Sequence, residues 1–186
     1  MTKKELRAVI AAEVKALDSE YCQRADAAIC RAVADSELYK NARTMFCYIG
    51  TDREIDTKAL LKAALADGKR LALPLCVGKG IMEAREIRSL DDLVNGKYDI
   101  PAPAVTCPVI EPEEFDLVIV PCSTGNSKGQ RLGYGGGFYD RYLSKTNCPK
   151  VLLCRKQLVK DEIPVEEHDL IMDHLATEDG IVCCKK

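Results

Sequence analysis

Apolar residues recur at helical spacing twice near the start of the chain. Leu6, Val9, Ile10, Val14 and Leu17 fall on one helical face, and Thr2 with Glu5 forms the S/T-x-x-E capping box that would start that helix. Ser19 restarts the chain, and Tyr21, Cys22, Ala25, Ile29, Ala32 and Val33 share one face of a second helix. The period then changes. Residues 44–49 form a short β-branched and aromatic run that suits a buried strand. A polar turn follows, then a helix from Asp56 to about Ala66 stopped by Gly68, and a second strand over 70–76. Gly78-Lys79-Gly80 reads as a turn into a strand over 81–87, with a short helix at 89–94. Pro101, Pro103, Pro108 and Pro112 exclude regular central structure from 95–114 and predict a loop wrapping the sheet. Residues 116–121 are the clearest buried strand, and 151–154 read as a later one.

Strand and helix signals that alternate in this way predict an α/β fold. We expect one three-layer domain over residues 1–186, with a mostly parallel central sheet and helices on both faces.

Composition narrows the partners. With 27 basic and 29 acidic residues the formal charge is −2, so no strong field points to nucleic acid. No apolar run approaches eighteen residues, so no membrane span is expected. The ten cysteines include no C-x-x-C pair, which argues against a zinc site, and a chain this long needs no disulfide framework. Reduced, packed thiols place the protein in the cytoplasm.

Local charge is less even. Five of the twelve glycines lie between positions 129 and 137, and residues 123–145 carry four basic side chains against Asp140 alone. A backbone without Cβ atoms can approach an anion and turn its N–H groups inward, and a helix beginning near Phe138 would add its dipole. Neither the Walker ending nor the position of the dinucleotide fingerprint is matched. A polyphosphate cradle and a hairpin needing positive φ both fit the glycines, and Arg131 favours the cradle. Lys3 and Arg7, four apart on the first helix, form either a phosphate clamp or an exposed flank. Asp56 suits helix capping. Residues 158–179 hold eight acids, one lysine and both histidines. A carboxylate there could hold Mg²⁺ against phosphate, while His168 and His174, six apart, suit structural roles.

The block Arg131-Leu-Gly-Tyr-Gly-Gly-Gly-Phe-Tyr-Asp140, preceded by 115–121 and followed by Ile163-Pro-Val-Glu-Glu-His-Asp169 and Met172-Asp173, resembles the 5-formyltetrahydrofolate cyclo-ligase family. Lys3-Lys-Glu-Leu-Arg7, Glu54-Ile-Asp-Thr57 and Gln157 extend the resemblance along nearly the whole chain. It implies a Rossmann-like monomer with ATP as a substrate and Mg²⁺ as its metal. The reaction implied is ring closure of 5-formyltetrahydrofolate to 5,10-methenyltetrahydrofolate with release of ADP and phosphate. Carried over residue by residue, Lys3, Arg7, Arg131, Leu132, Gly133, Tyr134, Gly135, Gly136, Gly137, Phe138 and Tyr139 surround the nucleotide. Ile49, Glu54, Tyr134, Phe138 and Gly135 to Gly137 face the folate, with Glu54 as anchor of the pterin ring. Arg131 and Tyr134 become the catalytic residues, and Asp140 and Asp173 the metal carboxylates.

Three stretches depart from the family pattern: Ile100-Pro-Ala-Pro103, which lacks the acid of the family's Glu-Pro pair, Cys122 to Lys128, and Cys154-Arg-Lys156. All three are expected on the folate side, with Cys122 beside the site. Two other readings stay open: a nucleotide-binding homologue without ring closure, serving regulation or protein contact, and a sugar-phosphate isomerase on a related scaffold.

Overall fold

A computed structural model describes residues 1–184, so the last two positions of the expected 1–186 domain lie outside the described residues. The chain opens with α1 (Lys3–Ala16), where the Thr2–Glu5 capping box forms on both sides. Leu6 and Ile10 turn inward, whereas Val9 is exposed, so the apolar stripe is narrower than its spacing predicts. Helix α2 (Ser19–Ala34) starts on an Asp18 cap, and the short α3 (Glu37–Asn41) on Ser36. Strand β1 (Thr44–Phe46) leads through a turn to α4 (Lys58–Ala66). There Thr57 occupies the capping position, its hydroxyl donating to the Tyr48 carbonyl at 2.6 Å, while Asp56 Oδ1 accepts the Lys58 N–H at 3.0 Å. Asp56 thus serves the helix start from one residue further out than expected.

Strands β2 (Arg70–Gly78) and β3 (Ile81–Ile87) form the hairpin read from Gly78-Lys79-Gly80. The proline-rich stretch is more ordered than expected. It pairs β4 (Leu93–Asn95) with β5 (Pro101–Pro103) as a separate ribbon, and lays β6 (Val109–Ile110) on the edge of β3. Prolines are tolerated because these are short ribbon or edge positions. The short helix expected at 89–94 is one 3₁₀ turn, Leu90–Asp92. Beyond it come β7 (Leu117–Val120), a two-residue hairpin of β8 (Thr124–Gly125) and β9 (Arg131–Leu132), α5 (Phe138–Leu143), β10 (Lys150–Leu153), β11 (His174–Thr177) and β12 (Gly180–Cys183).

Among the described residues the main sheet has eight strands in the order β12-β11-β10-β7-β1-β2-β3-β6. The inner five, β11, β10, β7, β1 and β2, are parallel, and antiparallel strands extend both edges. Alternate residues build two cores. Met45, Cys47, Leu117, Ile119, Val151 and Leu153 meet the α2–α4 side, whereas Phe46, Val118, Val120 and Leu152 meet α5. Helices therefore cover both faces, as the period-free apolar strands require. Leaving β1, the chain pairs β2 on one side and returns to β7 on the other. That reversal opens a crevice at the carboxyl ends of β1 and β7, where open α/β sheets bind ligands. No helix among the described residues is long and apolar enough to cross a membrane.

Candidate active site

Two cavities open beside the carboxyl ends of these strands, separated by the glycine strap 133–137. The first, about 610 Å³, is lined by Lys3, Arg7, Arg131, Gly133, Asp140 and Asp169 among others. The second, about 860 Å³, is more apolar and is lined by Ile49, Pro74, Ile100, Gly136 and Phe138, with Arg141 at its rim. Gly135 lines both.

Arg131 sits at the base of the strap and is only 8% exposed. Its Nε donates to the Pro121 carbonyl at 2.8 Å, Nη1 lies 3.5 Å from Asp140 Oδ1, and the guanidinium rests 5.3 Å from the Tyr139 ring centroid. Gly133 lies beside it, where a Cβ would come within 2.9 Å of the Arg131 guanidinium and push it from this position. Gly137 holds a left-handed φ of 67° and starts α5 without a side-chain cap. That helix has six residues, so the charge of the first cavity rests on side chains and not on a long helix dipole.

Helix α1 brings the other cations. Arg7 Nε donates to the Gly133 carbonyl at 2.8 Å, and Lys3 Nζ pairs with Glu166 at 2.9 Å and Asp169 at 2.6 Å. The basic helix and the acidic C-terminal segment meet through this lysine. Burial alone would lower the Lys3 pKa and raise that of Asp169. Their mutual hydrogen bond and charge prevail, so the lysine stands above and the carboxyl below its ordinary value. His168 is exposed, its Nε2 3.3 Å from Glu166, and belongs to this cluster.

Asp140 and Asp173 are not brought together. Asp173 stands at the amino ends of β10 and β11, where Oδ2 accepts the Lys150 N–H at 3.0 Å. It lines a different cavity with Cys148 and His174. Parallel strands carry their amino and carboxyl ends to opposite sheet edges, so one cation does not span the two carboxylates. His174 keeps its Nδ1 buried without a hydrogen-bond partner.

Of the residues expected to face the folate, Ile49 and Phe138 line the larger cavity together. Glu54 is not among the residues lining that cavity; it lines a separate narrow recess of about 10 Å³ with Tyr48, Cys122 and Arg155. Its Oε2 accepts the Thr51 N–H at 2.9 Å. Burial lifts its pKa above the ordinary carboxylate value, opposed by Thr51 and by the Tyr134 hydroxyl. Tyr134 is half exposed at 51%, yet its hydroxyl end reaches inward and donates to the Cys122 carbonyl at 2.8 Å. Desolvation, with the Glu54 charge added, holds that phenol well above its usual value, so it stays a proton donor.

The departing loops fall into two groups. Ile100, Pro101 and Ala102 line the apolar cavity. In contrast, Thr124 and Asn126 are buried in the β8–β9 hairpin and spend their polar groups within it and on the neighbouring segment 158–161. Thr124 Oγ1 donates to Leu158, and Asn126 Oδ1 accepts from Lys128 and Gln130. The 122–128 stretch is therefore divided: Cys122 and Ser123 line the recess that holds Glu54, while Thr124 to Asn126 build the hairpin in which Gly125 pairs with Arg131. Cys122 donates to the Leu153 carbonyl at 3.2 Å, and a hydrogen bond to Cys154, then burial, hold its thiol protonated. All ten cysteines are free thiols. Tyr98, overlooked in the proline-rich stretch, lies on the rim of the larger cavity, 92% exposed. With Asp99 it holds a φ of 58°, a strained pair that local sequence does not announce.

The sequence profile of the 5-formyltetrahydrofolate cyclo-ligase family matches residues 1–178. The chain belongs to this family. Its similarity to the 5-formyltetrahydrofolate cyclo-ligase of Saccharomyces cerevisiae is 29% identity over 208 residues, covering 97% of each chain. The Escherichia coli K12 cyclo-ligase is 32% identical over 144 residues, covering 73% of this chain and 78% of that one. The NMR structure of Aquifex aeolicus 5,10-methenyltetrahydrofolate synthetase superposes with a TM-score of 0.89 at 26% identity, over 100% of this chain and 94% of the other. The cyclo-ligase fold is therefore shared from end to end, and the strap with its two cavities is set within it.

Proposed function

We propose that the protein closes the ring of 5-formyltetrahydrofolate to 5,10-methenyltetrahydrofolate, converting ATP to ADP and phosphate. The observation that carries this reading is the glycine strap between a basic and an apolar cavity. A triphosphate on one side and a reduced folate on the other would meet across a backbone that carries one side chain, Tyr134, among four glycines.

The chemistry needs that meeting. A formyl oxygen leaves poorly, so it first attacks the γ-phosphate and becomes a phosphate ester on an iminium carbon. Nitrogen 10 then adds to that carbon and gives up its proton to solvent, and phosphate departs with the oxygen. Phosphoryl transfer depends on positioning and charge neutralisation more than on a protein nucleophile. Lys3, Arg7 and Arg131 would bind the triphosphate, helped by the backbone of residues 132–139. Ile49, Phe138 and the strap would hold the folate, with Glu54 accepting the pterin N–H donors. Tyr134, kept protonated, would donate to the ester oxygen as phosphate departs. Asp140, whose carboxylate lines the basic cavity, fits Mg²⁺ as a hard oxygen donor, and the ion would neutralise phosphate charge there. Ten free thiols support a reducing compartment, the cytoplasm.

Purified protein given 5-formyltetrahydrofolate, ATP and Mg²⁺ is expected to generate the methenyl absorption band. ATP binding without that band would favour a nucleotide-binding homologue that lacks ring closure.

A further inference from the structure

Beneath the turn that carries Glu54 lies a buried ion pair that the proposed chemistry does not use. Asp26 on α2 and Arg155 just beyond β10 are 7% and 4% exposed. Arg155 Nε and Nη2 donate to the two Asp26 oxygens at 2.7 and 2.9 Å, a bidentate fork. Each partner also grips the turn. Arg155 Nη2 donates to the Glu54 carbonyl at 2.9 Å, and Asp26 Oδ2 accepts the Asp56 N–H at 2.9 Å. The two grips lie on either side of Ile55, so they fix the backbone from which the Glu54 side chain leaves.

Stability is a weak reason for such a pair, because well-packed apolar residues often serve a protein interior as well as buried ions do. Registration is a better one. The far end of Arg155 is held in turn by its neighbours: the Lys156 N–H donates to Glu178 at 2.8 Å, and Tyr21 hydrogen-bonds both Glu178 and the Gln157 N–H. Helix α2, β10 and the strand-end turn thereby converge on one residue.

We infer that Arg155 and Asp26 are positioning residues for the folate half of the reaction, acting through Glu54. This rests on the reading of Glu54 as the pterin anchor. Arg155→Lys keeps the charge but cannot hold Asp26 and the Glu54 carbonyl with one planar fork. The paired replacement of Asp26→Leu with Arg155→Met removes both charges together and guards against a folding defect.

Steady-state kinetics on the full chain, with and without Glu54→Gln, tests the inference. In the wild-type background either change is expected to raise KM for 5-formyltetrahydrofolate about tenfold, as for a misplaced binding group, with KM for ATP within about twofold. In the Glu54→Gln background the same changes should add nothing, since the group they aim is gone. Equal rises in both KM values, or effects that simply multiply with Glu54→Gln, would overturn the inference while leaving the anchor intact. Should Glu54→Gln alone leave the folate KM unchanged, the anchor reading falls and the inference falls with it.

Discussion

Arg131 reaches the basic cavity from a buried position, held by the Pro121 carbonyl, Asp140 and the Tyr139 ring. Arg131→Ala is expected to lower kcat by about a hundredfold or more, the usual loss for a donor aimed at developing charge. Circular dichroism should show the fold retained, and unchanged turnover would remove Arg131 from the site. Glu54 gives a pH signature. Its pKa is raised by burial, so the carboxyl takes its proton at higher pH than in the unfolded chain. As pH rises across that interval the ionised acceptor forms, and KM for the folate should fall, a dependence that Glu54→Gln should flatten. The stability of the ligand-free protein runs the other way, declining as pH rises through the same window. Asp169 has the opposite sign. Its depressed pKa contributes stability that is present above the unfolded carboxylate value and lost as pH falls through the folded one. Asp26 was legible in principle. It interrupts the apolar stripe of α2 four residues from both Cys22 and Cys30, and an acid on a buried face calls for a buried cation.

At the scale of elements, the β8–β9 hairpin places Arg131 at the mouth of the site. Asn126 closes it by accepting two backbone N–H groups and donating to Gln130 and the Asp161 carbonyl. Asn126→Ala leaves those groups unsatisfied and should destabilise the protein by about 1–3 kcal/mol in chemical denaturation. Because Arg131 begins β9, kcat should fall as well, and a normal kcat would separate the hairpin from catalysis. Two-residue strands carry no period, so β8 and β9 were invisible in a sequence read for alternation. The five-residue α3 and the edge hairpin β11–β12 escaped for similar reasons. The central strands were readable because burial on both faces leaves continuous apolar runs. Proline misled in one place: 95–114 reads as loop, yet short ribbon and edge strands accommodate its rings.

Across the whole molecule, the strand order decides which distant residues become neighbours. Lys3 and Arg7 precede the glycine strap by more than a hundred positions, and the packing of α1 against Leu132 and Ile163 brings them to its edge. Spacing alone left the pair open between a clamp and an exposed flank. Asp173 shows the converse. Its motif is recognisable, but topology carries it to the other edge of the sheet, away from Asp140. The near-neutral charge of −2 likewise conceals an acidic tail folded onto a basic first helix through Lys3. Gly135, a single residue walling both cavities, has a thermodynamic corollary. Whichever ligand arrives first must settle the same few peptide units, so the second meets a wall already set. Linkage then requires equal factors in both directions: the change a non-hydrolysable ATP analogue makes in folate Kd must equal the change folate makes in the analogue's Kd. Calorimetric titrations in both orders should give a common factor above one, and a factor of one would mean the wall does not transmit.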